Sequence, residues 1–256
     1  MHALLTFMRK EWTECIRSGK LILLVTVFVF FGILNPATAK LLPFLLQSMT
    51  DSFSKLGVTV AEQHIDAMTS WEQFFKNVPM ALTAFVLIFS SIFTKEYQSG
   101  TMVLTLTKGV PRYVIVAAKS LFLFVSWTAS FYLSFGITYA YNAFYWDNSI
   151  AVNLAAAAAL WYGFGLLILC AMILFSGMLS NNGTVLLATG FFVAVCSTMN
   201  QFPSCRRFSP TCLTDAMPIL AGTASPSDYA TALVTAVVLG CVCLAAGIGM
   251  MNIKQL

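Results

Sequence analysis

Charge is what this chain has least of. Asp, Glu, Lys and Arg together make up 9% of its 256 residues, where soluble domains carry about 25%. So few charges cannot coat a water-facing surface, and with 59% apolar residues and a mean hydropathy of +0.82 the chain reads as membrane-embedded. No Gly-x-x-x-x-Gly-Lys-Ser/Thr phosphate loop occurs, so the chain does not bind and hydrolyse nucleotide by that route. His-Glu-x-x-His and Gly-x-Ser-x-Gly are absent as well. There is no Cys-x-x-Cys, and the two histidines, His2 and His64, are far apart in sequence, which argues against a metal site. No ionisable residue falls clearly at the middle of a long apolar segment, where proton- and ion-coupled carriers place one despite its cost. A cationic stripe with interleaved aromatics is also missing, which argues against nucleic-acid binding. Energy for any transport should therefore come from outside the chain.

What is present is a series of apolar runs long enough to cross a bilayer, which takes about 20 residues per helix. Six spans fit, at 21–43, 74–93, 113–142, 152–179, 184–202 and 229–251. Residues 148–205 contain no charge at all, too long for one span and right for two, with Ser180-Asn181-Asn182-Gly183 as the turn between them. With the N-terminus inside, the inner segments hold nine cations (Arg9, Lys10, Arg17, Lys20, Lys95, Lys108, Arg112, Lys119, Lys254) against three acids (Glu11, Glu14, Glu96). The outer segments hold five cations, Lys40, Lys55, Lys76, Arg206 and Arg207. Nine against five is the inner excess that sets orientation, and both termini are then cytoplasmic. The charged opening, without a small-residue cleavage site after it, does not read as a removable signal peptide.

The expected fold class is all-α integral membrane: six transmembrane helices, an N-terminal interfacial helix within 1–20 and a short cytoplasmic helix within 94–112, all in one domain over 1–256. Leu4, Leu5, Met8, Trp12, Cys15 and Ile16 recur at helical spacing, with Arg9, Lys10, Thr13, Glu14 and Arg17 opposite, the pattern of a helix lying in the interface. Gly19 marks a bend before the first span, and Asn35-Pro36 a kink within it. Lys40 reads as an interfacial anchor, and Tyr139, Tyr141, Tyr145 and Trp146 as an outer aromatic belt. Segments 47–73 and 203–228 are expected outside, the first with a short helix through Val60, His64, Ala67 and Met68. Cys205 and Cys212 share the second outer segment, which leaves open a disulfide or two free thiols. Cys241, Ala245 and Gly249 form a small-residue stripe suited to close helix packing.

The polar island at 93–119 carries its own helix signals. Thr101 suits an N-cap and Met102–Thr107 two turns of helix. Lys108 suits its C-terminal end, Gly109 the position after it, and Pro111 the first turn of the next span. A short helix lying across the membrane face is something a separate motor domain could grip.

Glu96, Gly100-Thr101, Leu104, Leu106, Pro111-Arg112 and Lys119, in that order and spacing, resemble the signature of the type-2 ATP-binding-cassette permeases. Arg9-Lys10-Glu11-Trp12 with Arg17-Ser18-Gly19-Lys20 resembles their elbow helix, and Phe31-Gly32-Ile33-Leu34-Asn35-Pro36 a motif of their compact bacterial members. The resemblance spans nearly the whole chain. It implies the membrane subunit of an ATP-driven exporter in a bacterial plasma membrane, paired with a second permease copy as homodimer or heterodimer and with two copies of a separate ATPase. ATP and Mg would be bound by that ATPase and no cofactor by this chain, which is then not itself an enzyme. Residues 96–108 would be the coupling helix, shaped by Gly100 and Thr101, with Lys95, Lys108 and Arg112 facing lipid phosphates or acidic ATPase residues. The elbow would lie beside the first span, with Arg9, Glu11 and Glu14 toward the ATPase. Asn35, Thr38, Ser126, Thr128 and Ser130 could line a cavity or bond their own helix backbones. The outer segment at 47–73 resembles subfamilies of peptide or lantibiotic export and immunity. The competing reading is a membrane-bound sensor or immunity protein that binds antimicrobial peptide without transport.

Overall fold

The computed structural model describes residues 2–53, 66–98, 100 and 111–253. Ten α-helices are described: α1 (His2–Arg17), α2 (Lys20–Phe53), α3 (Ala67–Phe89), α4 (Ser91–Gln98), α5 (Arg112–Tyr145), α6 (Leu154–Met178), α7 (Asn182–Gln201), α8 (Pro203–Arg206), α9 (Met217–Leu220) and α10 (Ala230–Ile253). No strand occurs among the described residues. Six of the helices, α2, α3 continued by α4, α5, α6, α7 and α10, are long and apolar enough to cross a membrane. The expected fold class is thus the observed one. The central spans are α3, α5 and α6, whose apolar windows are 56%, 61% and 67% buried, whereas α7 reaches 17%. Three helices therefore form the core, and α2, α7 and α10 pack around it.

Boundaries moved most at the first outer segment. α2 does not stop near residue 43 but runs through Pro36 and Pro43 to Phe53. α3 starts at Ala67, seven residues before the expected span, because the side chain of Asp66 caps it by accepting from the Thr69 N–H at 3.1 Å. Ala67 and Met68 thus open a span and are not part of a separate outer helix. Val60 and His64 lie outside the described residues. Between α6 and α7, Asn181 has extended backbone and caps α7 by accepting from the Gly183 N–H. Left-handed backbone does occur at Gly19 (φ +72°), which bends α1 away from α2.

α2 and α5 run parallel in tight contact. A Cβ at Gly32 would stand 2.9 Å from the Ile137 Cβ. Pro36 has no N–H for the Gly32 carbonyl, four residues back. Thr138 of α5 supplies the missing donor, its hydroxyl bonding Gly32 O at 3.0 Å. The Asn35 amide donates to that hydroxyl at 3.2 Å, and Asn77 of α3 donates to Asn35 at 2.8 Å. Side chains across three spans thus repair the gap that proline opens, as buried backbone in a membrane requires.

The second close packing joins α6 and α10. A Cβ at Gly177 would lie 2.9 Å from Gly247 O, and one at Gly247 would lie 3.0 Å from Leu174 Cα. The buried stripe of α10 is Ala232, Ala236, Cys243, Gly247 and Met251. The Cys241–Ala245–Gly249 stripe lies beside it: Cys241 and Ala245 are exposed, and Gly249 has open space around it.

Residues 203–229 fold as an ordered cap over α6, α7 and α10. Pro203, Pro210, Pro218 and Pro226 each open a short helical turn, where a fixed φ and absent N–H cost nothing. Leu213, Ile219 and Leu220 are buried beneath the cap, and Trp161 Nε1 donates to Thr214 O at 2.9 Å.

Candidate coupling site

The feature that stands out is a knot of charge where α1, α4 and α5 meet. Lys119 lies seven residues inside α5, about 10 Å from the helix start. At that depth a lone ammonium would be costly. Its Nζ lies 2.9 Å from Glu11 of α1 and 3.3 Å from Glu96 of α4, and it donates to Ile92 O at 2.9 Å. Glu11 and Lys119 are 5% and 3% exposed, so this pair is taken out of water. Glu11 meets the ammonium as an ion pair but at an angle short of a hydrogen bond. Around it, Lys10 donates to Glu96 at 2.7 Å, Lys95 to Glu14 at 3.2 Å, and Lys20 to Ser91 at 3.4 Å. A cavity of about 30 Å³ remains among these groups, which is room for about one water.

Two flanking groups titrate away from their ordinary values. Partial burial raises Glu14, but the bond and charge of Lys95, helped by Lys119 and Lys10, pull it down by more, leaving it below 4.5. Partial burial lowers Lys10, but Glu96, with Glu11 and Glu14, holds it above 10.5. Both shifts mean that the charged forms of Glu14 and Lys10 are favoured.

α1 presents three faces. Glu11 and Cys15 are buried against the bundle, while Leu5, Trp12 and Ile16 form an exposed apolar edge. Arg9, Thr13 and Arg17 line an open polar groove along a third side. Trp12 also stacks edge-on against Phe122 of α5, with ring centroids 5.4 Å apart. The elbow is therefore fixed to α5 by a ring contact and an ion pair together.

The residues singled out from the sequence divide as follows. Lys95, Glu96, Glu11 and Glu14 come together in the knot. Glu11 is turned inward to Lys119 and is not on the outward side expected of a partner contact, whereas Arg9 and Arg17 are exposed. Gly100 is left-handed (φ +67°) two residues past the end of α4. Thr101, Leu104 and Lys108 lie outside the described residues, as does the helix expected at Met102–Thr107. Pro111 caps α5 from just outside it, and Arg112 donates to Met251 O at 3.5 Å.

The residues considered for a cavity do not line one together. Asn35, Ser126 and Ser130 are buried in the packed interior. Thr38 bonds the Leu34 carbonyl of its own helix at 2.9 Å, Ser130 that of Ser126 at 2.7 Å, and Thr128 that of Phe124 at 2.7 Å. Thr128 also meets the Tyr162 hydroxyl at 2.8 Å. Cys205 and Cys212 are both free thiols. Burial pushes the Cys212 thiol up, with Arg206 opposing.

Sequence reasoning gave Glu11 to a partner and Lys119 no contact within the chain. The signals were present. Glu11 shares a helical face with Cys15 and Leu4, and Lys119 is the one charge well inside the apolar run that begins at Arg112. Two charges of opposite sign on inward faces are each other's natural partners. Asn77 and Thr138 carried no comparable signal, since their roles depend on the register of α2 against α3 and α5.

Residues 5–205 match the family model of the ABC-2 family transporter protein. The chain belongs to that family. It is also 24% identical over 214 residues to an uncharacterized transmembrane protein, YxlG, of Bacillus subtilis (strain 168), covering 82% of this chain and 81% of the relative. No solved structure matches it. The ABC-2 chain is accordingly a permease subunit of an ABC transporter, which is a membrane component and not the ATPase, and family membership implies an ABC ATPase subunit as partner.

Proposed function

We propose that the chain is the membrane subunit of an exporter of peptide, lantibiotic or other amphipathic compounds, driven by a separate ATPase in a bacterial plasma membrane. The observation that carries this reading is the Lys119 knot. It ties the elbow helix and α4 to α5, so a push on α4 is borne by α1, α4 and α5 together. The charge balance of the two faces, nine cations against three acids on the knot's side, supports a cytoplasmic location for that side and for both termini. The grooves between spans are lined almost wholly by apolar side chains, which suits an amphipathic cargo. The sparsely buried apolar faces of α2 and α7 suit a second permease copy.

The test is co-expression with an ABC ATPase from the same genome. The two should co-purify, and ATP should drive an amphipathic peptide such as nisin out of cells, or into inverted vesicles, only when both are present. Peptide protection that persists with a hydrolysis-dead ATPase would favour the sensor and immunity reading and sink this one.

A further inference from the structure

The six spans divide into two bodies that meet where α5 packs on α6, around Trp127 and Gly165, and where α5 packs on α10. In the first body, α3 and α5 are joined by a run of aromatic rings that continues to the elbow, and Phe28 of α2 packs on it against Phe85 and Trp127. Trp12 meets Phe122 (5.4 Å), Phe122 meets Phe89 (5.8 Å), and Phe89 meets Phe85 (4.8 Å). Phe85 meets Trp127 (5.4 Å), Trp127 meets Phe131 (5.6 Å), Phe131 meets Phe74 (6.0 Å), and Phe74 meets Trp71 (5.6 Å). Trp71 then donates to Asn148 at the outer end, 3.1 Å away. With the Lys119 knot at one end and the Asn77–Asn35–Thr138 bonds between, this body is cross-linked along its whole height. The second body is α6, α7 and α10 under the 203–229 cap, with α6 and α10 in contact at Gly177 and Gly247.

Two apolar grooves separate the bodies. One, about 270 Å³, lies between α3 and the α6–α7 pair, lined by Thr83, Leu87, Trp161, Ile168 and Thr189 among others. The other, about 310 Å³, lies between Phe124 of α5 and the α6–α10 pair. At 100° per residue along α6, Trp161, Phe164 and Ile168 face the first groove, Tyr162, Leu166 and Cys170 face the second, and Gly165 falls between. The Trp127 indole, near the midpoint of α5, rests on Gly165, where even a methyl group would overlap the ring. Its Nε1 donates to Tyr162 O at 3.3 Å. At the inner face the bodies are linked by longer bonds, Gln98 to Ser180 O at 3.3 Å and Arg112 to Met251 O at 3.5 Å.

We propose that Trp127 on Gly165 is the pivot about which the two bodies rock during transport, one groove closing as the other opens. Trp127 and Gly165 are positioning residues: they set where the bodies touch. The grooves on either side supply the free space that a rocking motion needs. Gly165 is required because any side chain there would push the two bodies apart.

The inference rests on the ATP-driven reading, and the test separates the two. Spin labels at Leu87 and Leu187 span the first groove, Val125 and Val237 span the second, and Leu23 and Leu121 lie within one body; labelled chains are diluted with unlabelled copies. In the complex with its ATPase, trapping with ATP and vanadate should shift the two cross-groove distances in opposite directions and leave the third unchanged. A shift within the first body, cross-groove shifts of the same sign, or no shift in a complex that hydrolyses ATP overturns the pivot while leaving the driven permease intact. In the chain alone, without any ATPase, Gly165→Ala should widen both cross-groove distances and leave the Leu23–Leu121 distance as it was. Unchanged cross-groove distances in that variant overturn the pivot independently.

Discussion

Removing the ammonium of Lys119 should be among the most damaging single changes in the described structure, and the damage should fall on one carboxylate more than on the other. Lys119→Met keeps the length and apolar stem of the side chain. Glu96 would still hold Lys10 at 2.7 Å, but Glu11 would be left with Lys10 at 3.9 Å, while itself 5% exposed. Stripping one partner from a buried ion pair costs about 3–5 kcal/mol. For a chain of this size that corresponds to a melting shift of roughly 6–20 °C, at about 2–4 °C per kcal/mol. Relief should be selective. Adding Glu11→Gln to Lys119→Met removes the stranded charge and should recover more than half of the loss, whereas adding Glu96→Gln should recover little, because Glu96 was never stranded. The assay is thermal unfolding of the four variants in nanodiscs at pH 7. Equal recovery by both second changes, or additive losses from Lys119→Met and Glu11→Gln, would refute the assigned pairing.

Three further outcomes follow from particular contacts. Thr138→Val keeps the shape of the side chain but leaves Gly32 O without a donor, and should cost about 1–3 kcal/mol, with Thr138→Ser close to the parent protein in the same melting assay. Gly247→Val places side-chain atoms where Leu174 Cα would stand 3.0 Å from a Cβ, and should lower stability by about 1–3 kcal/mol while Gly249→Val, facing open space, stays near zero. The elbow should stay docked between about pH 5 and 10 and loosen outside that window. Glu14 has a folded value below 4.5, so its contribution is complete above 4.5 and lost as pH falls through that lower value. Lys10 has a folded value above 10.5, so its contribution is complete below 10.5 and lost as pH rises through that higher value. Hydrogen exchange of the α1 amides across pH reads this out, and protection that fails near neutrality would contradict it.

Fold class and span count were legible because a bilayer imposes a length and a composition on every crossing, and both can be read directly. The hairpin at 180–183 was legible because it interrupts an apolar run, and the bend at Gly19 because a glycine sits between the polar elbow and the first span. Element ends were less so. Pro36 suggested a kink, but the continuity of α2 to Phe53 depends on Thr138, more than 100 residues away, donating the bond that proline cannot. The early start of α3 was within reach, since Asp66 precedes a helical pattern by one residue and Thr69 lies three beyond it. The ordered cap was signalled by four spaced prolines, each of which opens a short helical turn. In the coupling site, which residues were charged was legible and their pairing was not. Pairing depends on α1 folding back across α4 and α5, and no local pattern in 1–20 or 93–119 states that register.

The position of Lys119 also explains why the elbow helix is where it is. A lysine ten or so ångströms inside a span is tolerated only if counter-charge is brought to it. The bundle offers Ile92 O and Glu96, but Glu96 is shared with Lys10, so the remaining half of the neutralisation must come from Glu11. α1 is therefore held down by the need of a buried cation as well as by its apolar edge, and the two grips differ in kind. The apolar edge of Leu5, Trp12 and Ile16 lets α1 slide in the interface at small cost, because one patch of hydrocarbon is as good as another. The Glu11–Lys119 contact fixes its register to one turn of α5. A push on α4 would bear on the carboxylate of Glu96 and the carbonyl of Ile92, both bonded to that same ammonium, and α1 could not stay behind without breaking the pair. Elbow, α4 and α5 must then move together or leave a charge stranded.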